Sequence, residues 1–286
     1  MNLIALLPTL LMVCLALMMF GLGLSLTLQD FARLKAHPKA VLIALTLQII
    51  GLPLACYGVV LGFDLSPVYA VGLMLLAASP GGISANLFSH LFGGNLAMNI
   101  SLTAVNTVLS IVTLPLIANW AIDTFAKTGQ VVPLQMGKVF EVVTMVLIPV
   151  AVGMLAHARA PRFAARMEKP MKVFSAVLLL ALVALTMVRE WAALQQYFTH
   201  LGPAVVIFNI ISLLAGYYLS RASGLDKPLA TAISFEVGIH NAALAMYIGM
   251  KVLDNAALAL PSAIYSVSML MTATLFGFWV LGRSRQ

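Results

Sequence analysis

Apolar runs, each about as long as a membrane-spanning helix, alternate along this chain with short stretches of charge, proline or glycine. Nine runs stand out, at roughly 3–27, 39–62, 67–92, 95–122, 135–157, 170–188, 202–220, 227–251 and 256–282. Each is predicted to be helical, because a segment in hydrocarbon has to satisfy its backbone hydrogen bonds internally. The first run opens MNLIALLPTLL, has no basic stretch before it and continues to about Thr27. That is longer than a signal-peptide core, so it is read as the first span.

Composition narrows the class. The chain has 286 residues, 62% of them hydrophobic and only 9% charged, with a mean hydropathy of +1.04. A soluble domain is about a quarter charged, so a soluble enzyme is excluded, as are a disordered chain, a coiled coil and a disulfide-rich module. An all-α polytopic membrane protein of nine transmembrane helices remains. The net charge of +7 points to no nucleic acid. In a membrane protein, basic excess gathers on cytoplasmic loops. With the N-terminus outside, twelve basic residues fall inside: Arg33, Lys35 and Lys39, the stretch Arg159 to Lys172, Arg221 and Lys227, and Arg283 and Arg285. Only Lys127, Lys138, Arg189 and Lys251 fall outside. This predicts an N-out, C-in integral membrane protein with an odd number of spans. The stretch Arg159 to Lys172 reads most simply as a cytoplasmic loop. Cys14 and Cys56 both lie in apolar runs, far apart, and suggest neither a disulfide nor a metal site.

An internal repeat is visible. Pro67 opens the third run and Pro228 the eighth, 161 residues apart, while Asn95 and Asn255 open the fourth and ninth, 160 apart. Runs one to four then match runs six to nine, and run five lacks a mate. Matched runs lie five spans apart and point in opposite directions, which is the inverted repeat common in secondary transporters.

Two runs carry chemistry. The third contains Ala78-Ser79-Pro80-Gly81-Gly82-Ile83-Ser84-Ala85-Asn86. Pro80 removes a helical hydrogen bond, and Gly81 and Gly82 release side-chain restraint, so a helix break is expected at membrane depth. A simple proline kink is the plainer alternative. The eighth contains Ser234-Phe235-Glu236-Val237-Gly238-Ile239-His240-Asn241. Glu236 is the one carboxylate in the middle of any run. An ionised side chain there costs at least a few kcal/mol unless paired or ion-bound, so its default reading is functional. The alternative is a protonated, hydrogen-bonded structural residue. Breaks at matching places in two halves point to a midplane substrate site. Asn99, Thr103 and Asn106 recur at helical spacing and share a face, and Gln48 is a lone amide in the second run. Amide and hydroxyl oxygens beside one carboxylate suit a hard cation, although helix-to-helix hydrogen bonding explains such a face equally simply. There is no phosphate-binding G-x-x-x-x-G-K, no H-E-x-x-H and no C-x-x-C. Neither an ATP-driven pump nor a transition-metal site is expected, and no nucleophile–base set suggests an enzyme.

Taken together, Pro80-Gly81-Gly82 with Asn86, the polar fourth run, and Phe235-Glu236-Val237-Gly238 with Asn241 resemble the bile acid:sodium symporter family. So does Met19-Phe20-Gly21-Leu22-Gly23-Leu24-Ser25-Leu26, followed by Asp30-Phe31 and His37-Pro38. The similarity runs from about residue 8 to the end. It implies two crossing discontinuous helices in runs three and eight. It implies a core over about 39–122 and 202–282 and a panel over about 3–27 and 135–188, in one transporter domain. The unmatched fifth run would have lost its partner, a first helix that ten-span relatives keep. The resemblance also implies sodium as coupling ion, with no other cofactor. A first sodium site would use Asn86, Asn99, Thr103 and Glu236, with Ala85 where a serine is expected. A second would use Gln48, Glu236, the backbone of Val237 and Ile239, and His240, which stands where the family has glutamine. The helix break would be Pro80, Gly81, Gly82 and Gly238, and the substrate would lie near Ile83, Ser84 and Asn241. The expected function is sodium-coupled symport of an organic anion, bile-acid-like or a small carboxylate, by alternating access in a bacterial inner membrane. A proton-coupled or ion-independent carrier of the same fold stands as the alternative, favoured by His240 beside Glu236.

Overall fold

The structure, a computed structural model, describes residues 6–126 and 136–282. The first five residues, Lys127 and the rest of 127–135, and Arg283 and Arg285 lie outside the described residues. The described chain is helical, with a single isolated antiparallel bridge between Gly81 and His240.

Helix α1 spans Leu7–Ser25 and α2 spans Leu28–Arg33. Thr27 and Asp30 close a capping box at the start of α2, with the Thr27 N–H and hydroxyl both donating to Asp30 at 2.7 Å. Helices α3 (Pro38–Thr46) and α4 (Leu52–Gly62) form one span joined by a π-helical turn, Leu47–Gly51. The extra residue of such a turn re-aims side chains, and Gln48 lies within it. The next apolar run is split into α5 (Pro67–Ala78) and α6 (Ile83–Leu91), as its Pro-Gly-Gly sequence predicts. Helices α7 (Leu96–Phe125), α8 (Met136–Arg159), α9 (Pro161–Arg189) and α10 (Trp191–Ala222) are long, and single residues, Ala160 and Glu190, join α8 to α9 and α9 to α10. The run after them is split again, into α11 (Lys227–Gly238) and α12 (Ala242–Tyr247), the latter extended by a π-helical turn to Val252. Helix α13 (Leu260–Phe276) follows and is extended by a π-helical turn to Leu281.

Among the described residues, seven helices are long and apolar enough to cross a membrane; the two split runs supply shorter apolar helices. One reading needs correction. The basic stretch Arg159 to Lys172 is not a loop: Ala160 alone separates α8 from α9, and the rest is helix. Arginine, lysine and glutamate are good helix formers, so α9 continues past the apolar run that marks its spanning part. Pro170 and Pro203, which look like boundaries in the sequence, lie inside α9 and α10. A single proline in a long spanning helix loses one hydrogen bond, which neighbours can re-satisfy, without ending the helix.

Helix α1 packs on α8 and α9, while α10 packs on α11 and α13, and α5 on α7. The closest approach in the first group is between two glycines. A Cβ on Gly153 would run into the Phe20 carbonyl and the backbone of Gly23, and one on Gly23 into the Val150 carbonyl. Small residues let membrane helices meet backbone to backbone, where dispersion replaces the missing hydrophobic drive. Gly153→Val is therefore expected to push α1 from α8, at a cost of about 1–3 kcal/mol as an overpacked contact. A melting curve in detergent reads this directly, and an unchanged midpoint would show that the pair separates freely. Similarly, Gly216 and Gly238 bring α10 against α11, where a Cβ would strike Ser234 or Leu213. The Ser234 hydroxyl donates to the Leu213 carbonyl at 2.7 Å in the same seam.

Candidate functional site

The two breaks meet. The Gly82 N–H donates to the Ile239 carbonyl at 2.6 Å and the Asn241 N–H to the Pro80 carbonyl at 2.8 Å. These bonds join two extended segments as a tiny antiparallel pair around Gly81 and His240. At this crossing α5 and α11 end, with their carbonyl-rich termini, while α6 and α12 begin. Partial negative and positive charges of helix ends are thus gathered at one buried point.

Glu236, on the last turn of α11, is fully buried. Its Oε2 accepts hydrogen bonds from Asn99 Nδ2 at 2.9 Å and Thr103 Oγ1 at 2.5 Å. Its Oε1 accepts one from Asn106 Nδ2 at 2.8 Å. A Cβ on Gly81 would overlap the carboxylate. Glycine is required there by this close approach rather than by its backbone angles. The three α7 side chains lie one turn apart on a single face, so the spacing in the sequence places them correctly. Each amide that donates to Glu236 leaves its oxygen over: Asn99 Oδ1 and Asn106 Oδ1 are buried without a hydrogen-bond partner.

The other predicted residues are distributed around the crossing. Gln48 Nε2 donates to the Ser79 carbonyl at 2.9 Å and to the Ala77 carbonyl at 3.3 Å. The Ser79 hydroxyl caps the Leu76 carbonyl at 2.7 Å. The carbonyls freed by Pro80 are therefore satisfied by protein, as burial in a membrane demands. Gln48 Oε1 and Asn86 Oδ1 are also buried without partners. Val237 and Ile239 are buried, and the Ile239 carbonyl is occupied by Gly82. Asn241 caps α12 through Leu244 N–H at 3.1 Å.

His240 belongs to a cluster that the sequence does not announce. Its Nδ1 lies 2.9 Å from the Tyr265 hydroxyl. That hydroxyl donates to the Gly238 carbonyl at 2.8 Å, and Asn209 Nδ2 reaches both the Gly238 carbonyl and the Tyr265 hydroxyl at 2.6 Å. Thr272 donates to Asn209 Oδ1. The end of α11 is thus held by α10 and α13. Asn209 and Tyr265 are scattered among other polar residues of α10 and α13 and form no motif, so they carry no signal of their own until packing shows what they face.

Beside the crossing is a cavity of about 610 Å³. Its walls are α6 with Ile83, Ser84 and Asn86, the middle of α13, and a stripe of α9. Ala85 is fully buried and offers no oxygen where a serine is expected.

Comparison with known proteins gives the family. The pattern of the sodium bile acid symporter family matches residues 12–197, well over half of the chain. The chain belongs to the sodium bile acid symporter family. It is 30% identical, over 88% of its length and 77% of the relative's, to an uncharacterized sodium-dependent transporter, YocS, of Bacillus subtilis. It is 29% identical to a probable chloroplastic sodium/metabolite cotransporter, BASS2, of rice (Oryza sativa subsp. japonica), over 93% of this chain. It spans 62% of that rice protein, less than two thirds. To the human ileal sodium/bile acid cotransporter it is 25% identical over 96% of this chain and 79% of the relative. This is a transporter family and not an enzyme family, and the chain is an integral membrane protein.

Proposed function

We propose that this protein is a secondary transporter that couples uptake of an organic anion to a sodium gradient by alternating access. The observation that carries the reading is the Glu236 carboxylate at the helix crossing, ringed by Asn99, Thr103 and Asn106, two of which keep an unpartnered buried oxygen. Buried acceptors without donors are costly, and a hard cation beside a carboxylate is the species that satisfies them. The residues of the first proposed ion site fit sodium through oxygen atoms: Glu236, Asn99 and Thr103, with Asn86 across the crossing. The second, with Gln48, Val237, Ile239 and His240, fits less well, because Ile239 is occupied and imidazole is a poor sodium ligand. Relatives named as sodium-dependent or sodium/metabolite cotransporters support the coupling ion.

In this reading the chain makes nine spans, the seven continuous ones joined by two that cross at their breaks, and the site lies at the membrane midplane. The inverted repeat gives its logic: the break at Gly81 and the break at His240 lie at matching positions of two oppositely directed halves. Helices α1, α8 and α9 form the panel, and the remainder forms the core that moves against it. The charge bias sets the N-terminus outside and the C-terminus inside a bacterial inner membrane. The substrate enters the cavity beside Ile83 and Ser84, with Asn241 holding the second break.

A second reading, a proton-coupled or ion-independent anion carrier, is favoured by a different observation. Glu236 already accepts three hydrogen bonds, and His240 stands beside the break. Uptake into sealed vesicles decides between them. An inward sodium gradient is expected to raise initial uptake at least several-fold over choline. Equal uptake in both, with stimulation by a proton gradient, would replace the first reading by the second.

A further inference from the structure

Lys169 stands out once the cavity is traced along α9. Lys169, Val173, Ala176 and Leu180 line it at intervals of four, three and four residues, so they form one stripe on one face. At 1.5 Å per residue the stripe is about 16 Å long. Lys169 ends it, and the facing wall on α6 runs about 9 Å from Ser84 to His90 at the same rise. Because successive spans alternate in direction, Lys169 and His90 share the open end, and Ser84 lies at the break. Between the ends the walls are mostly methionine, leucine, isoleucine, valine, phenylalanine and alanine, interrupted by Asn86, Ser175 and Ser266. Lys169 is exposed, and among the described residues it is in no ion pair. Its neighbour Glu168 also lines the cavity and has an interaction of its own.

At the break end, most of the donors that a substrate carboxylate would seek are committed. The Gly82 and Asn241 N–H groups bond across the crossing, Ala85 bonds Gly82, Ala242 bonds His240, and Leu244 bonds the Asn241 side chain. Two helix C-termini and two N-termini meet there, so their end charges oppose one another, and the Glu236 carboxylate is left to repel a second anion.

We propose that Lys169 is a specificity-determining residue. It pairs with the acidic group of the transported anion at the open end of the cavity, while an uncharged hydrogen-bonding group of the substrate meets Ser84 at the break. This rests on the cavity being the anion's site, as proposed above. The substrate class it selects is an anion whose apolar body separates its acid from a hydroxyl or carbonyl.

The test uses the purified full chain in detergent with sodium, and reads thermal stabilisation against concentration of cholate and of its uncharged methyl ester. The wild type is expected to bind the acid about tenfold more tightly than the ester, the size of a charged hydrogen bond. Lys169→Ala should bring the acid to the level of the ester without changing the ester, and Lys169→Arg should keep most of the preference. A Lys169→Ala protein that still prefers the acid overturns the proposal, and so does a wild type that responds to neither ligand. Sodium titrations without either ligand form a separate arm. Loss of the sodium response there counts against ion coupling and leaves the Lys169 result to stand or fall by itself.

Discussion

Glu236→Gln is expected to abolish sodium-driven uptake while leaving the protein folded. The amide has nearly the same shape, and its oxygen still accepts from Thr103 or Asn99. The Asn106 side chain can turn its amide over to face the new NH2, because its own oxygen has no other partner. What is lost is the only charge at the crossing. Removing a buried charge from a hydrogen-bonded pair costs about 3 kcal/mol, roughly 100-fold in ion affinity. Two measurements check this: sodium-dependent thermal stabilisation, expected to disappear, and the melting midpoint without sodium, expected to stay within a few degrees. A variant that takes up substrate in response to sodium as well as wild type would remove Glu236 from the ion site. It would leave the glutamate as a hydrogen-bonded structural residue of α11.

The two glycines of the first break are expected to separate in their effects. From the sequence, replacing either by alanine favours continuous helix, since glycine is among the poorest helix formers. The structure makes the positions unequal. A Cβ at Gly81 would occupy the space of the Glu236 carboxylate, whereas one at Gly82 would stand 3.0 Å from the His240 carbonyl oxygen, a contact that a small shift relieves. Gly81→Ala should therefore lower transport by at least about tenfold, because the carboxylate has to leave three well-placed donors. Gly82→Ala should lower it only a few-fold by weakening the Gly82–Ile239 hydrogen bond. Initial uptake rates normalised to reconstituted protein give the comparison. Equal rates for the two variants, or loss of expression with undiminished specific activity, would favour a mere kink in which neither glycine touches the ion site.

Much of this was legible one-dimensionally because the membrane imposes local rules. A spanning segment must be apolar and helical by itself, so the length and position of each run can be read without knowing any neighbour. The breaks are equally local: Pro80 removes a helical hydrogen bond and two poor helix formers follow it, which marks a break or kink at that place, and the structure splits the run there. The shared face of Asn99, Thr103 and Asn106 follows from helical periodicity, and all three reach one carboxylate. Glu236 was conspicuous because charge at membrane depth is expensive.

The tertiary structure decided which group each of these residues serves. Gln48 and Ser79 are 31 residues apart, and no pattern along the chain says that one amide caps the end of the other's helix. Asn209 and Tyr265 are 56 apart and become a clamp on Gly238 and a partner for His240 only when α10, α11 and α13 pack. Lys169 reads in the sequence as one more cytoplasmic charge; only the packing of α9 on α1 and α13, across the cavity from α6, brings it to the cavity wall. The division has a physical cause. Hydrophobic length, proline and glycine act through the backbone of their own segment, and their effect is fixed before folding. A lone polar side chain in an apolar helix has no local preference for any partner. Its role is set by whichever group the fold brings within hydrogen-bond reach, and that depends on distances no single segment contains.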